Sequence, residues 1–393
     1  MAAEDMSDAC ARIAILANGV FPYRVGGMQK HTTCLVRQLP GAGVQVDLYY
    51  LTDESYPPAA VVHQQLFDGN DGIRIRAVGS PRLPYFPGHY YLTCFWQSYW
   101  LCRALRQSQV DYDFIYAQGY TGWYSMLARK WRSDVLPPIG VHGHGLEALQ
   151  EPASIWWHIK NTFAPVWQKW NIRLADRNLS LGGQLDDLLV AAGASAESIL
   201  PAYNGIDEAW LRPLNEIRET DGNTRFLFVG RDTSRKGIAE LNEAIQCLRE
   251  EPRFEIHLAG DISEHRRISG RNVIYHNELR EEEELRDLYC SCDVLVCPSY
   301  SEGMPTVILE AMASGLAVIA TDVGAVRLVV DAQSGWLIRA RDSSSLIDAM
   351  RSAMTKPILA KKRAARQRVE EFTWPKVTAS FFDALCEYRA SRP

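Results

Sequence analysis

Short apolar runs alternate with helix-period stretches along the whole of this chain. RIAILANGV (Arg12 to Val20) is apolar enough for a buried strand; a glycine loop follows, and the spacing predicts a helix from Gln29 to Leu39. VQVDLYYLT (Val44 to Thr52) predicts a second strand, and FIYAQG and PIGVHG supply later ones, each ending in glycine. Strand-then-helix repetition predicts a mostly parallel sheet with helices on both faces. The pattern restarts at Arg225, where RFLFVG, FEIHLAG, NVIYH, DVLVCPS and AVIATD are strand-like and separated by helical stretches. Between the two α/β units lies a Pro-, Gly- and Asn-rich stretch, Pro201 to Asn223, which reads as a linker.

Composition narrows the picture. The 393 residues suit two domains of ordinary size, each able to bury its own core. A formal charge of −5 gives no general drive towards nucleic acid or anionic membrane. The acidic, polar start MAAEDMSDACAR is unlike a signal peptide, and no run of 18 apolar residues predicts a membrane span. The nine cysteines are scattered without zinc spacing, which suits reduced thiols in a cytoplasmic protein.

Glu302 and Glu310 stand out within SEGMPTVILEAMASGLAVIATDVG. Pro305 belongs near a helix start, because its missing N–H is one that a first turn leaves unpaired anyway. That helix is expected to run through Val307 to Ala313 and stop at Gly315. Glu302 then lies on the loop before it, with Glu310 about two turns inside. Residues eight apart span about 12 Å of helical rise. Two carboxylates sharing one bond to be cleaved with retention lie about 5 Å apart. The longer spacing suits carboxylates gripping different parts of one elongated ligand. Free N–H groups near Gly303, Met304, Thr306 and Val307 favour a phosphate between them. A phosphate flanked by two hydroxyl-binding acids reads as a nucleotide sugar; a chance pair of glutamates is the competing reading.

Three further stations lie where strands end, the edge at which ligands bind on such sheets. Gly26 and Gly27 follow the first strand and let backbone approach a ligand, or simply form a turn. VHGHGLE carries His142 and His144, which can serve a sugar hydroxyl or a proton transfer, or be satisfied structural groups. VGRDTSRKG carries Arg231 and Lys236, two cations suited to a diphosphate leaving group; a solvated basic loop is the alternative.

In this order the stations resemble the retaining nucleotide-sugar glycosyltransferases of group 1 with the GT-B fold. That family's pattern is a glycine pair after the first strand, a mid-domain histidine, N-G-[IV]-D, G-R-x4-K-G and E-x7-E. Here these are Gly26-Gly27, His142, Asn204-Gly205-Ile206-Asp207, Arg231 with Lys236, and Glu302 with Glu310. The resemblance implies two Rossmann-like doubly wound domains facing a cleft: 1–203 for the acceptor and 204–372 for the donor. It implies a final helix within 373–393 that crosses back onto the first domain. Arg231 and Lys236 would hold the diphosphate with main-chain N–H groups around Gly303 to Val307. Glu310 would take the ribose, Glu302 the donor sugar, and Gly26 and Gly27 would border phosphate and acceptor, with His142 near the reacting centre. One departure is visible: the family's glutamate in G-G-x-P-E is missing from Gly324-Ala325-Val326-Arg327-Leu328.

The resemblance further implies transfer of a hexose from a UDP- or GDP-linked donor, with retention, to a glycan, glycolipid or small-metabolite hydroxyl. No first-domain carboxylate stands out as a nucleophile, so front-face attack is expected, with no metal and no cofactor. Asp111-Tyr112-Asp113 precedes a strand, the wrong end for a metal-diphosphate site. A nucleotide-sugar epimerase and a non-catalytic sugar-nucleotide binder are the alternatives. Two aromatic-rich stretches, Pro84 to Trp100 and Ser154 to Trp170, are open to core packing, sugar stacking or peripheral contact with the inner membrane face. The second carries Trp156, Trp157, Phe163, Trp167 and Trp170 with Lys160 and Lys169.

Overall fold

The computed structural model describes residues 11–391 except 54–55, 82, 85–88, 133–135, 151–162, 277–278 and 280. It contains two parallel sheets. The first is ordered β3-β2-β1-β4-β5-β6-β7: β1 Arg12–Ala17, β2 Gln45–Thr52, β3 Ile73–Gly79, β4 Phe114–Gln118, β5 Ile139–His142, β6 Arg177–Ser180 and β7 Ile199–Pro201. The second is ordered β10-β9-β8-β11-β12-β13: β8 Thr224–Val229, β9 Phe254–Ala259, β10 Val273–His276, β11 Val294–Cys297, β12 Ala317–Thr321 and β13 Gly335–Ile338. Neighbouring strands in both sheets run parallel, as β1 with β4 and β8 with β11.

The apolar runs become central strands because both faces of a parallel sheet are covered. Ile13 to Ala17 of β1 and all of β4, β11 and β12 are buried. The strand order reverses between β1 and β4 in the first sheet and between β8 and β11 in the second. Each reversal opens a crevice at the carboxyl ends of the two strands. The first helix, Gly27–Gln38, begins two residues before the expected Gln29, and Pro201 closes β7 instead of opening the linker.

The final helix, Trp374–Ala390, returns to the first sheet. Phe381 packs edge-on against Tyr116 of β4, with centroids 6.2 Å apart, and Arg389 pairs with Asp113 at 2.7 Å. Its start is tied to the linker by two backbone bonds, Ile206 N–H to the Phe372 carbonyl (2.8 Å) and Trp374 N–H to the Ile206 carbonyl (3.1 Å). Asp111-Tyr112-Asp113 sits at the amino edge of β4, where Asp113 accepts from the Arg12 N–H and Tyr112 donates to Asp47. Among the described residues no helix is long and apolar enough to cross a membrane.

Candidate active site

The second crevice gathers the charged groups. The loop after β8 brings Arg231, Thr233, Arg235 and Lys236, and the loop after β11 brings Glu302 and Met304 to Val307. With Gly27 of the first domain they line a cavity of about 560 Å³. Gly237 lets the two loops touch. Its φ is +67°, and a methyl group there would lie 2.8 Å from the Pro298 carbonyl carbon. The helix behind the second loop runs Thr306–Ala313 with Pro305 at its N-cap. Ile308 N–H is taken by the Pro305 carbonyl at 3.1 Å, but the N–H groups of Thr306 and Val307 precede any intrahelical acceptor, and both residues face the cavity.

Lys236 Nζ lies 2.7 Å from Glu302 Oε1, and an Arg235 guanidinium nitrogen lies 3.4 Å from the same oxygen. Burial pushes the Glu302 carboxyl up, but Lys236 and then Arg235 outweigh it and hold the group below its ordinary value. The carboxylate is therefore charged and buried at neutral pH. Arg231 is exposed beside the same cavity.

Glu310 faces a smaller hollow shared with Gly27, Lys30, Asn204, Asp207 and Thr306. It accepts from the Tyr289 hydroxyl at 3.1 Å and pairs with Lys30 of the first domain at 3.6 Å. Burial depresses the Lys30 ammonium, yet Glu310 and neighbouring acids outweigh it, so its pKa is raised. Glu310 is only a little over one turn inside the helix, not two. Because Glu302 precedes the helix altogether, the expected helical rise does not separate the two acids.

Across the cleft, a cavity of about 480 Å³ opens at the β1/β4 reversal. Asn18, Tyr90, Tyr91, Gln118, Tyr120 and His144 are among its walls. It meets the donor-side loop where Gly145 and Gly303 touch: a methyl group at Gly303 would lie 3.2 Å from Gly145 Cα and 2.8 Å from a Leu181 methyl. Gln150 Nε2 also donates to the Glu302 carbonyl at 2.8 Å.

His142 lies beneath this cavity, fully buried, its ring stacked on His144 with centroids 3.9 Å apart and its Nδ1 bonded to the Tyr116 hydroxyl. His31 completes the cluster, 4.8 Å from His142 and 5.3 Å from His144 by ring centroids. Burial pushes His31 down from 6.5 to about 4 and the other two well below their ordinary value, with mutual repulsion adding to His142 and His144. All three rings are neutral at physiological pH.

The candidate residues thus divide. Arg231, Lys236, Glu302, Met304, Thr306, Val307 and Gly27 share one cavity, and Glu310 lies in the hollow beside it. Gly303 faces the domain contact, Gly26 caps the first helix, and His142 supports His144 from below. Arg235, Lys30, Tyr289 and His31 were not singled out by sequence. Arg235 stood in view beside Lys236, whereas Lys30 and His31 carry no local signal. Trp156, Trp157 and Lys160 lie outside the described residues. Trp167 stacks on Tyr91 at 5.7 Å, while Phe163 is exposed and Trp170 leans edge-on against Trp123. Arg327, at the departure from the family pattern, turns to Asp322 (3.1 Å). Among the described residues no group of three His, Cys, Asp or Glu side chains could hold a metal ion.

Two doubly wound sheets with a charged crevice between them define a two-domain protein of the GT-B architecture. Residues 223–356 match the family of glycosyl transferases group 1, and residues 25–210 match Glycosyltransferase Family 4. The chain belongs to the GT-B glycosyltransferases of group 1. It is 25% identical over 374 residues to uncharacterized glycosyltransferase MJ1178 of Methanocaldococcus jannaschii, covering 91% of this chain and 93% of that one. Its matches to the first two curated relatives span 31% and 54% of their lengths. The fold superimposes on sucrose-phosphate synthase from Thermosynechococcus elongatus with a TM-score of 0.76 and 21% identity, over 97% of this chain and 100% of that one. It also superimposes on Anabaena Alr3699/HepE in complex with UDP, with a TM-score of 0.67 and 17% identity, over 96% and 100%.

Proposed function

We propose that the protein transfers a hexose, with retention, from a UDP- or GDP-sugar to an acceptor hydroxyl. The observation that carries this reading is the convergence of Arg231, Arg235, Lys236, Glu302 and a helix start on one cavity at a strand-order reversal. Glu302, kept ionised by its cations, would accept from donor-sugar hydroxyls. Glu310 would take the ribose, exchanging Lys30 for the two hydroxyls. UDP bound in the HepE structure supports a nucleoside diphosphate as the ligand class.

In the reaction the C1–O bond to the β-phosphate breaks and a bond from C1 to the acceptor oxygen forms on the same face. The acceptor proton passes to the departing phosphate oxygen. Negative charge grows on that phosphate as the bond breaks, and Arg231, Lys236 and the first-turn N–H groups are set to meet it without reorganising. This positive set does the work a metal would otherwise do. The hydroxyl-lined cavity beside His144 would seat the acceptor; an epimerase needs no second cavity, and its presence favours transfer.

The test is to incubate the protein with UDP-glucose, UDP-galactose and GDP-mannose in EDTA and follow release of nucleoside diphosphate. Release from one donor, lost in Glu302→Gln, supports the reading. Epimerised donor without release, or no turnover of any donor, contradicts it.

A further inference from the structure

His31 stands where the two domains and the linker meet, and no step above uses it. It lies on the first helix and is buried. Its Nδ1 is 2.8 Å from Asn204 Oδ1, and Asn204 Nδ2 donates to the Met304 carbonyl at 2.6 Å. The second bond orients the amide, because a carbonyl only accepts. Oδ1 therefore faces His31, and the proton of the neutral ring must sit on Nδ1. A donor on the first domain is thus joined through one linker side chain to the turn that faces the phosphates.

The ring also touches His144, which walls the first-domain cavity. His142 and His144 pack around it, and Trp374, the first residue of the returning helix, lies 5.5 Å away. Its Nε2 is shielded and has no hydrogen-bond partner among the described residues. A merely packed core position would not need an imidazole, because an apolar ring would fill the space without leaving that nitrogen unsatisfied. The cost is retained where only a ring bearing one N–H on its near edge can do the task.

We propose that His31 is a positioning residue for transfer. Through Asn204 it fixes the Met304 carbonyl, and so the turn from Glu302 to Val307, in register with His144 and the acceptor cavity. This rests on the glycosyltransferase reading. Catalysis between two bound substrates depends steeply on their relative placement, where about 1 Å of error can cost about 100-fold. Donor affinity is shared among several contacts, Arg231, Lys236 and Glu310 among them, and should fall less than turnover.

The experiment compares wild type with His31→Phe, which keeps a ring but no donor, and His31→Asn, which restores an N–H near the Nδ1 position. Asn204→Asp cuts the same chain at its far end, since a carboxylate cannot donate to the Met304 carbonyl. Turnover of UDP-glucose or GDP-mannose, whichever wild type accepts, is followed with thermal midpoints. The expected result is a kcat reduced about tenfold or more in His31→Phe and Asn204→Asp, a donor KM within about threefold in His31→Phe, and partial recovery in His31→Asn. Wild-type kcat in His31→Phe overturns the proposal, and so does an equal loss in the Phe and Asn variants. Should His31→Phe fail to fold, wild-type kcat in Asn204→Asp overturns it alone. A wild type that turns over no donor removes the underlying reading, and this proposal with it.

Discussion

Lys236 and Glu302 form a 2.7 Å ion pair between the loops that follow β8 and β11. The pair joins two strands that are neighbours only because the sheet order reverses there. The group proposed for the diphosphate therefore already holds the group proposed for the donor sugar. Lys236→Ala leaves Arg235, at 3.4 Å, as the remaining cation on Glu302 among the described residues. Losing a charge-assisted bond worth about 1.5–3 kcal/mol predicts donor turnover reduced about 10- to 150-fold, more where the diphosphate also loses its contact. Steady-state rates with circular dichroism check this; a folded variant with wild-type turnover refutes the assignment.

The same pair has a pH signature. Because the folded carboxyl is held below its ordinary 4.5, its stabilisation is complete above that value and is lost as pH falls through the lowered one. Activity should therefore show no limb from Glu302 between pH 6 and 8. In Lys236→Ala the acid limb of donor binding should move upward, measured by calorimetric titration across pH 4 to 7. An unmoved limb would show that Lys236 does not hold the charge.

The histidine cluster predicts acid sensitivity of a different kind. His31, His142 and His144 have folded pKa values below 6.5, so the unfolded chain binds more protons in the window beneath it. Their contribution is fully present above about pH 6.5 and declines as pH falls, for His31 until about 4. Each histidine then costs about 1.4 kcal/mol per pH unit. Urea unfolding at pH 7, 6 and 5 should show falling stability, with a shallower slope in His31→Asn. A stability that stays level over this range contradicts the buried neutral cluster.

Much of this site was legible beforehand, and the reasons are local. Pro305 and Gly315 bracket the helix by backbone chemistry alone, and Gly237 and Lys236 follow β8 in the chain, so their place at a strand end could be read directly. The misplaced depth of Glu310 arose from applying helical rise to all eight residues from Glu302, although the helix begins only at Thr306. His142 was expected near the reacting centre or as a structural group; its strand position buries it under the sheet edge, and His144 takes the cavity wall. Lys30, His31 and Tyr289 escaped notice because their partners lie far away in sequence. The roles of Lys30 and His31 depend on how the domains approach, and that of Tyr289 on how two helices of the second domain pack; no local pattern encodes either.

Glu310 offers a test of nucleotide recognition. A carboxylate that binds ribose hydroxyls should favour UDP or GDP over the 2′-deoxy forms by about tenfold or more, one charged hydrogen bond's worth. In Glu310→Gln that preference should shrink to about threefold or less. Equal affinity of the wild type for both sugars would remove the ribose role.

The Gly145–Gly303 contact predicts a mechanical effect. A methyl group at Gly303 meets the Leu181 methyl at 2.8 Å and the Gly145 backbone at 3.2 Å, so Gly303→Ala must part the domains slightly or shift Leu181. The expected outcome is weakened turnover at unchanged nucleotide affinity, with a larger radius of gyration by small-angle scattering if the domains yield. Wild-type turnover would mean that closure at this point does not matter for the reaction.

The central claim is that the crevice of the second domain binds a nucleoside diphosphate through Arg231, Lys236 and the helix start at Thr306. Isothermal titration of wild type, Arg231→Ala and Lys236→Ala with UDP and GDP tests it most directly. The account predicts one-to-one binding of at least one nucleotide by the wild type, weakened about tenfold or more in each variant. Absence of binding, or affinities unchanged by both substitutions, would contradict it.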